Sequence, residues 1–207
     1  MVRENDLRLP LADIFARAAS HYGVDLAPTD RIVAELLAFF ADRLKVHLKE
    51  QNVRHDYISA AFGDGGEDDL VRLMARVAAL SDFLTSDDGA NLLIAYRRAA
   101  NILRIEEKKD GVSYDQPVDE TLLEDGAEKA LQERIGEVSK LVSGAISHDE
   151  FEAAGTAAAA LRKPVDAFFD KVTVNADDAK LRENRLRLLS TIRNLLDQLA
   201  DLSKIEG

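Results

Sequence analysis

Cysteine is absent from the 207-residue chain, which excludes disulfides, thiolate metal sites and thiol nucleophiles. Histidine and the carboxylates are then the strong metal ligands left, and there are only 4 histidines. Glycine and proline are scarce, at 11 and 4, and no glycine-rich stretch has the spacing of a P-loop or a dinucleotide fingerprint. A Gly-x-Ser-x-Gly elbow is missing too, so nucleophilic catalysis has no starting point, and catalysis by this chain alone is not expected. No apolar run approaches the roughly 18 residues of a spanning helix, and the N-terminus lacks the basic, apolar and small-residue order of a signal peptide. The expectation is a soluble cytoplasmic protein without membrane contact. Positive charge is in deficit: 27 Lys and Arg face 38 Asp and Glu, a net charge of −11. Any contact with nucleic acid must therefore come from a local basic patch working against the overall field.

What the chain does have is 46% hydrophobic residues arranged almost throughout at helical spacing, enough for one large core or two smaller ones. After Pro10, the residues Leu11, Ile14, Phe15, Ala18 and Tyr22 form a first stripe, which Gly23 is expected to stop. Pro28, Thr29 and Asp30 open a longer helix of about 20 residues carrying Ile32, Val33, Leu36, Leu37, Phe40, Leu44 and Leu48. Residues 55–62 give two more turns, residues 63–66 a loop, and Glu67, Asp68 and Asp69 the acidic start of a helix with Leu70, Leu73, Met74, Val77, Leu80 and Leu84. Residues 85–89 read as punctuation, and a helix from Ala90 carries Leu92, Leu93, Tyr96, Ala99, Ala100 and Leu103 before running out in a polar stretch expected to be a mobile loop, 106–117. Further helices are expected over 121–146 and 149–161, then a short apolar turn from Pro164 to Val174. In the last helix Leu181, Leu188, Leu195 and Leu202 recur every seventh residue behind the capping pair Asp177 and Asp178. No strand pattern emerges, so the fold class is all-α, a multi-helix bundle.

Three groups of residues invite chemistry. His55-Asp56 is the dipeptide of metal-dependent phosphohydrolases, but it needs further ligands from His21, His47 or His148. The acidic run at Asp64, Glu67, Asp68 and Asp69 lacks the alternation of an EF-hand loop and reads as a helix cap. Two basic clusters stand against the acidic background. Arg97, Arg98 and Arg104, with Lys108 and Lys109 beyond, give one helix a basic side; Lys180, Arg182, Arg185, Arg187 and Arg193 do the same for the last helix. Arg182 and Arg193 fall within roughly 20° of each other on a helical wheel. Arg185 lands inside the apolar arc, as a buried ion-pair partner would. Guanidinium groups on a rigid helix suit phosphate contact and base stacking, whereas the bland alternative is a solvated face paired with Glu106, Glu107, Asp178 or Glu183.

The order of four segments carries a resemblance. They are Glu4-Asn5-Asp6-Leu7-Arg8-Leu9-Pro10-Leu11, Phe39-Phe40-Ala41-Asp42-Arg43-Leu44-Lys45-Val46-His47-Leu48, Ala95-Tyr96-Arg97-Arg98-Ala99-Ala100-Asn101-Ile102-Leu103, and a long C-terminal one. The last runs Pro164-Val165-Asp166-Ala167-Phe168-Phe169-Asp170-Lys171-Val172-Thr173-Val174-Asn175 and then Asp177-Asp178-Ala179-Lys180-Leu181-Arg182-Glu183-Asn184-Arg185-Leu186. As a set they resemble the bacterial glycyl-tRNA synthetase β subunit, whose C-terminal region is a DALR-type anticodon-binding helical domain. The Asp-Ala-Leu-Arg string that names the domain is interrupted here by Lys180.

The resemblance implies a helical part of the subunit body over residues 1–88 and a DALR-like anticodon-binding domain over 89–207. It implies a C-terminal piece of a longer subunit, with Met1 an introduced start. It also implies a division of labour. The α subunit holds ATP, glycine and Mg²⁺ and makes the adenylate, so no cofactor is expected on this chain. The β subunit recruits tRNA-Gly within an α2β2 assembly that carries out glycyl-tRNA aminoacylation for protein biosynthesis. On that reading Arg97, Arg98 and Arg104 hold RNA backbone, Arg182 and Arg193 add charge from a neighbouring helix, and Asn101 and Asn184 are polar readers of splayed bases. A helical protein-interaction scaffold is the main alternative reading of the residues, with an HD-type metal phosphohydrolase behind it.

Overall fold

Helices form where an apolar stripe coincides with a start signal, and a computed structural model of the chain, which describes residues 5, 7–22, 28–63 and 67–206, shows where the two coincide. The elements are α1 (Leu11–Ser20), α2 (Thr29–Glu50), α3 (His55–Phe62), α4 (Leu70–Thr85), α5 (Asp87–Asp110), α6 (Gly126–Ser147), α7 (Phe151–Ala159), α8 (Arg162–Lys171) and α9 (Ala179–Leu196). Short 3-10 turns lie at Glu120–Leu122 and Leu202–Lys204. Among the described residues there is no strand, so the protein is all-α, and none of these helices is long and apolar enough to cross a membrane. The expected stop at Gly23 and the centre of the loop at residues 64–66 lie outside the described residues, as do Glu4 and Asp6 of the first resemblance segment.

The chain divides into two compact units, residues 1–78 with 204–207, and residues 79–203. In the first, α1 packs on α2, with the Phe15 and Phe40 rings stacked at 5.5 Å. Its buried apolar residues include Leu11 of α1, Leu44 and Leu48 of α2, Tyr57, Ile58, Ala60 and Ala61 of α3, and Leu73 and Val77 of α4. The chain's last residues close this unit: Lys204 Nζ donates to the Gly63 carbonyl at 2.9 Å and the Glu206 amide to Asp56 Oδ2 at 3.0 Å. The outer face of α2 leaves Phe39 and Val46 about half exposed.

The second unit is a bundle of α5 to α9. Leu92 and Leu103 of α5, Leu131 of α6, Leu161 before α8, Phe168 of α8, and Leu186, Leu189, Ile192 and Leu196 of α9 are all buried to 1% exposure or less. Each such side chain contributes about 1.5–3 kcal/mol relative to leaving it in water. Helix α8 runs alongside α5 in the same direction, Arg162 reaching Asp88 at 2.6 Å and Phe169 meeting Arg98. Helix α9 returns antiparallel, from Arg182 beside Asp110 to Asp197 beside Tyr96.

Local chemistry explains the boundaries that periodicity misplaced. Helix α5 starts at Asp87 rather than Ala90, because Ser86 is the N-cap and its Oγ accepts from the Gly89 amide at 3.1 Å. Gly89 is required by packing: a Cβ there would lie 1.9 Å from the Phe83 carbonyl oxygen. The polar tail Glu106 to Asp110 stays helical to Gly111, whose left-handed φ of 69° closes the helix. Helix α6 starts only at Gly126, behind Asp125, which forms a capping box with Glu128. Residues around Pro164 make a helix, not a turn, since proline in the first helical turn gives up an amide that has no partner there anyway. The seventh-residue leucine row outlasts its helix: α9 ends at Leu196, and Leu202 is buried from the 3-10 turn that follows.

Candidate nucleic-acid interface

The two basic clusters sit on packed neighbours, α5 and α9, yet their side chains have different surroundings. On α9 each arginine of the cluster meets an acid. Arg182 bridges Glu106 and Asp110, the latter at 2.6 Å, and Asn175 Nδ2 donates to the same Glu106 at 3.1 Å. Arg193 reaches Asp115 at 3.0 Å and Glu107 at 3.4 Å. Arg187 pairs with Glu183 and donates to the Pro117 carbonyl at 3.2 Å. Arg185, as its place in the apolar arc predicts, is the partner of a buried acid: its Nε is 2.6 Å from Glu128, whose side chain is 1% exposed. The α9 side chains therefore hold the end of α5 and the loop that follows it. Lys180, in the first turn of α9, is exposed.

These pairs leave an electrostatic signature. The Arg182 hydrogen bond holds the Glu106 carboxyl below its ordinary range, and Tyr114 together with Arg182 does the same for Asp110. Ser190 and Asn194 lower Asp115, and Thr121 lowers Asp119. The Arg182 guanidinium is raised in return, chiefly by its bond to Glu106. Asp110, Tyr114, Arg182 and Arg187 line an open cleft of about 520 Å³.

Asn184 is not on a surface. It is 2% exposed, its Oδ1 accepts from the Asp119 amide at 2.8 Å and its Nδ2 donates to the Asp119 carbonyl at 2.9 Å. Both ends of the amide are thus used to fix the loop before α6. The stretch expected to be mobile is held by contacts of this kind: Tyr114 is buried and donates to Asp110 at 2.5 Å, and Asp115 accepts from Ser190 at 2.6 Å.

The outward side of α5 is arranged otherwise. Ile94, Arg98, Asn101 and Ile105 follow one another at intervals of four, three and four, which places them in one row, and Lys108 extends it. Every member is exposed, Ile94 at 63% and Ile105 at 47%. Arg104 flanks the row, exposed, and donates to Asn101 Oδ1 at 2.7 Å; Arg97 lies on the same flank, half-buried. The Arg98 guanidinium sits 4.2 Å from the centroid of the Phe169 ring on α8. Phe169 appeared in the sequence only as part of the C-terminal segment; its place one residue beyond core Phe168 is the signal that could have flagged it. Of the predicted residues, then, the fold brings Arg98, Asn101 and Arg104 onto one open surface. It turns Arg182 and Arg193 toward acids and places Asn184 inside.

His55 is exposed, and Asp56 is buried with other partners. Burial works to raise the Asp56 carboxyl, but Arg54 at 2.5 Å and the amides of Glu206 and Tyr57 outweigh it and hold it low. Among the described residues no three His, Asp or Glu side chains converge as metal ligands would, so the phosphohydrolase reading lacks its constellation.

Comparison with known proteins agrees with this architecture. The DALR anticodon binding domain family matches residues 92–206. The glycine–tRNA ligase beta subunit of Rhodospirillum centenum is 55% identical over 208 residues, covering 100% of this chain and 29% of that protein. Those of Ruegeria sp. and Cereibacter sphaeroides are 47% and 49% identical, over 100% and 88% of this chain. The chain spans less than a third of the length of the curated relatives it matches. With a helical bundle in place and more than half its length matched, the chain belongs to the DALR anticodon binding domain family.

Proposed function

We propose that this chain is the anticodon-side tRNA grip of a glycine–tRNA ligase β subunit, and that the outward row of α5 is the surface that meets RNA. The observation that carries the reading is the exposed set Arg98, Asn101 and Arg104 on one face of a helix inside the DALR-family region. Anticodon loops are single-stranded, and helical modules read such loops by stacking and edge hydrogen bonds while cations hold phosphates. Lys108 adds charge at the end of the row, and Arg97 adds it from the flank. Arg182, Arg193 and Asn184 support the surface from behind by fixing the end of α5 and the loops beside α9.

In the whole enzyme this part recruits tRNA-Gly, while ATP, glycine and Mg²⁺ belong to an α subunit in an α2β2 assembly in the cytoplasm. It takes no direct part in adenylate formation. The net charge of −11 makes binding by this chain weak and strongly salt-dependent, because only a local patch releases counterions.

The test is binding to glycine tRNA against an anticodon-swapped transcript, at low and moderate salt. A preference for the cognate loop that Arg98→Ala removes supports the proposal. Equal or absent binding of both transcripts by the folded chain overturns it.

A further inference from the structure

Arg98 is held from below. Its guanidinium lies over Phe169 at 4.2 Å, and Phe169 meets Phe168 edge-on with ring centroids 5.5 Å apart. Phe168 is 0% exposed in the core of the bundle. Core packing thus places Phe169, and the Arg98 guanidinium lies over its ring while Arg98 itself stays exposed. A guanidinium is planar, and one seated over an aromatic ring on a residue open to water suits stacking of another flat group.

Three residues further along the row, Asn101 has a fixed orientation. Arg104 can only donate, so its bond at 2.7 Å identifies the Asn101 oxygen and leaves the Nδ2 group as the donor on the other side. Ile94 and Ile105, exposed at 63% and 47%, lie about a turn before Arg98 and a turn after Asn101 in the same row. A purely electrostatic phosphate contact has no use for this apolar border or for an aromatic ring beneath the cation; an unpaired base has a use for both.

We infer that Arg98 and Phe169 form a platform on which one unpaired nucleobase of a single-stranded RNA loop stacks, with an acceptor on its edge directed to Asn101 Nδ2. This rests on the tRNA-binding reading above and adds the mode of contact. The role of Arg98 is its plane, its charge being secondary, and Phe169 becomes part of the binding surface as a positioning residue.

The experiment uses the full 207-residue chain and glycine tRNA transcript, with affinity measured by anisotropy over a range of salt. Wild type is compared with Arg98→Lys, which keeps the charge and loses the plane, and with Phe169→Leu, each checked for fold by circular dichroism. Stacking of one base predicts that Arg98→Lys weakens binding roughly tenfold while the salt dependence is unchanged. Asn101→Ala weakens it further and relaxes discrimination between transcripts that differ at one loop base. Should Phe169→Leu be unstable, Arg98→Lys decides alone. Wild-type binding with anticodon preference that Arg98→Lys leaves intact overturns the platform and spares the tRNA reading. An Arg98→Lys loss accompanied by a flatter salt dependence also overturns it, making Arg98 a phosphate contact. No RNA binding by wild type at low salt removes both, and leaves the row as a protein-facing surface.

Discussion

Arginines on α9 and arginines on the outward side of α5 belong to adjacent helices of one bundle, and they differ in what lies across from them. Arg182, Arg185, Arg187 and Arg193 each face a carboxylate contributed by their own or a neighbouring helix or loop. Arg98 faces an aromatic ring and water, and Arg104 a neutral amide. The same side chain is therefore tied to a carboxylate in one place and left open to water in the other. The acidic composition makes this division possible: with 38 carboxylates against 27 cations, most arginines find an acid unless their helix face points away from every neighbour.

If the α9 arginines are structural, removing them should cost stability, beginning with the most buried. Arg185→Ala takes the counter-charge from Glu128, 1% exposed and left with the Glu124 and Asp125 amides, and is expected to destabilise the fold by about 3 kcal/mol in urea unfolding. Asn184→Ala, at a position 2% exposed, removes two hydrogen bonds to the Asp119 backbone, at about 0.5–1.5 kcal/mol each, so a loss of about 1–3 kcal/mol is expected by the same measurement. Arg182→Ala is read through pH. Glu106 and Asp110 are held below their ordinary values of 4.5 and 3.8, so on acidification the unfolded chain binds protons before the folded one does. The stabilisation is complete above those unfolded values and is lost as pH falls through the lower folded ones. Midpoints of urea unfolding between about pH 5 and about pH 3 should fall steeply in wild type and less steeply in Arg182→Ala. On the α5 side the expected stability effect is the smallest: Arg104→Ala should change unfolding free energy by no more than about 0.5 kcal/mol. A large stability loss there, or none at Arg185, would erase the contrast.

Much of this fold was legible before any coordinates. Helices α2, α3 and α4 lie where an apolar stripe, a proline or acidic start and a glycine or polar stop agree, and the burial of Arg185 follows from its position in the apolar arc of α9. Misplaced ends have local causes that periodicity does not carry. Ser86 caps α5 through a single hydroxyl, Pro164 is harmless in a first turn, and the polar tail Glu106 to Asp110 is held by Arg182 of α9 and by Asn175 of the loop before it. The site was half legible. Spacing puts Arg97, Arg98 and Arg104 on one side of a helix, but whether a given arginine meets water or an acid depends on the angle at which its helix packs. Glu106 could be named as a possible partner, though not assigned to Arg182. Asn184, polar and next to Arg185, reads as a surface residue until the loop at Asp119 is folded over it.

The salt dependence of tRNA binding separates the two sets most directly. Log affinity against log salt would be measured for wild type, Arg104→Ala and Arg182→Ala with glycine tRNA. If the outward row of α5 meets RNA and the α9 pairs do not, Arg104→Ala lowers the slope by about 1, while Arg182→Ala leaves it unchanged. A slope lowered by Arg182→Ala and untouched by Arg104→Ala would place the RNA on the α9 arginines and contradict the assignment.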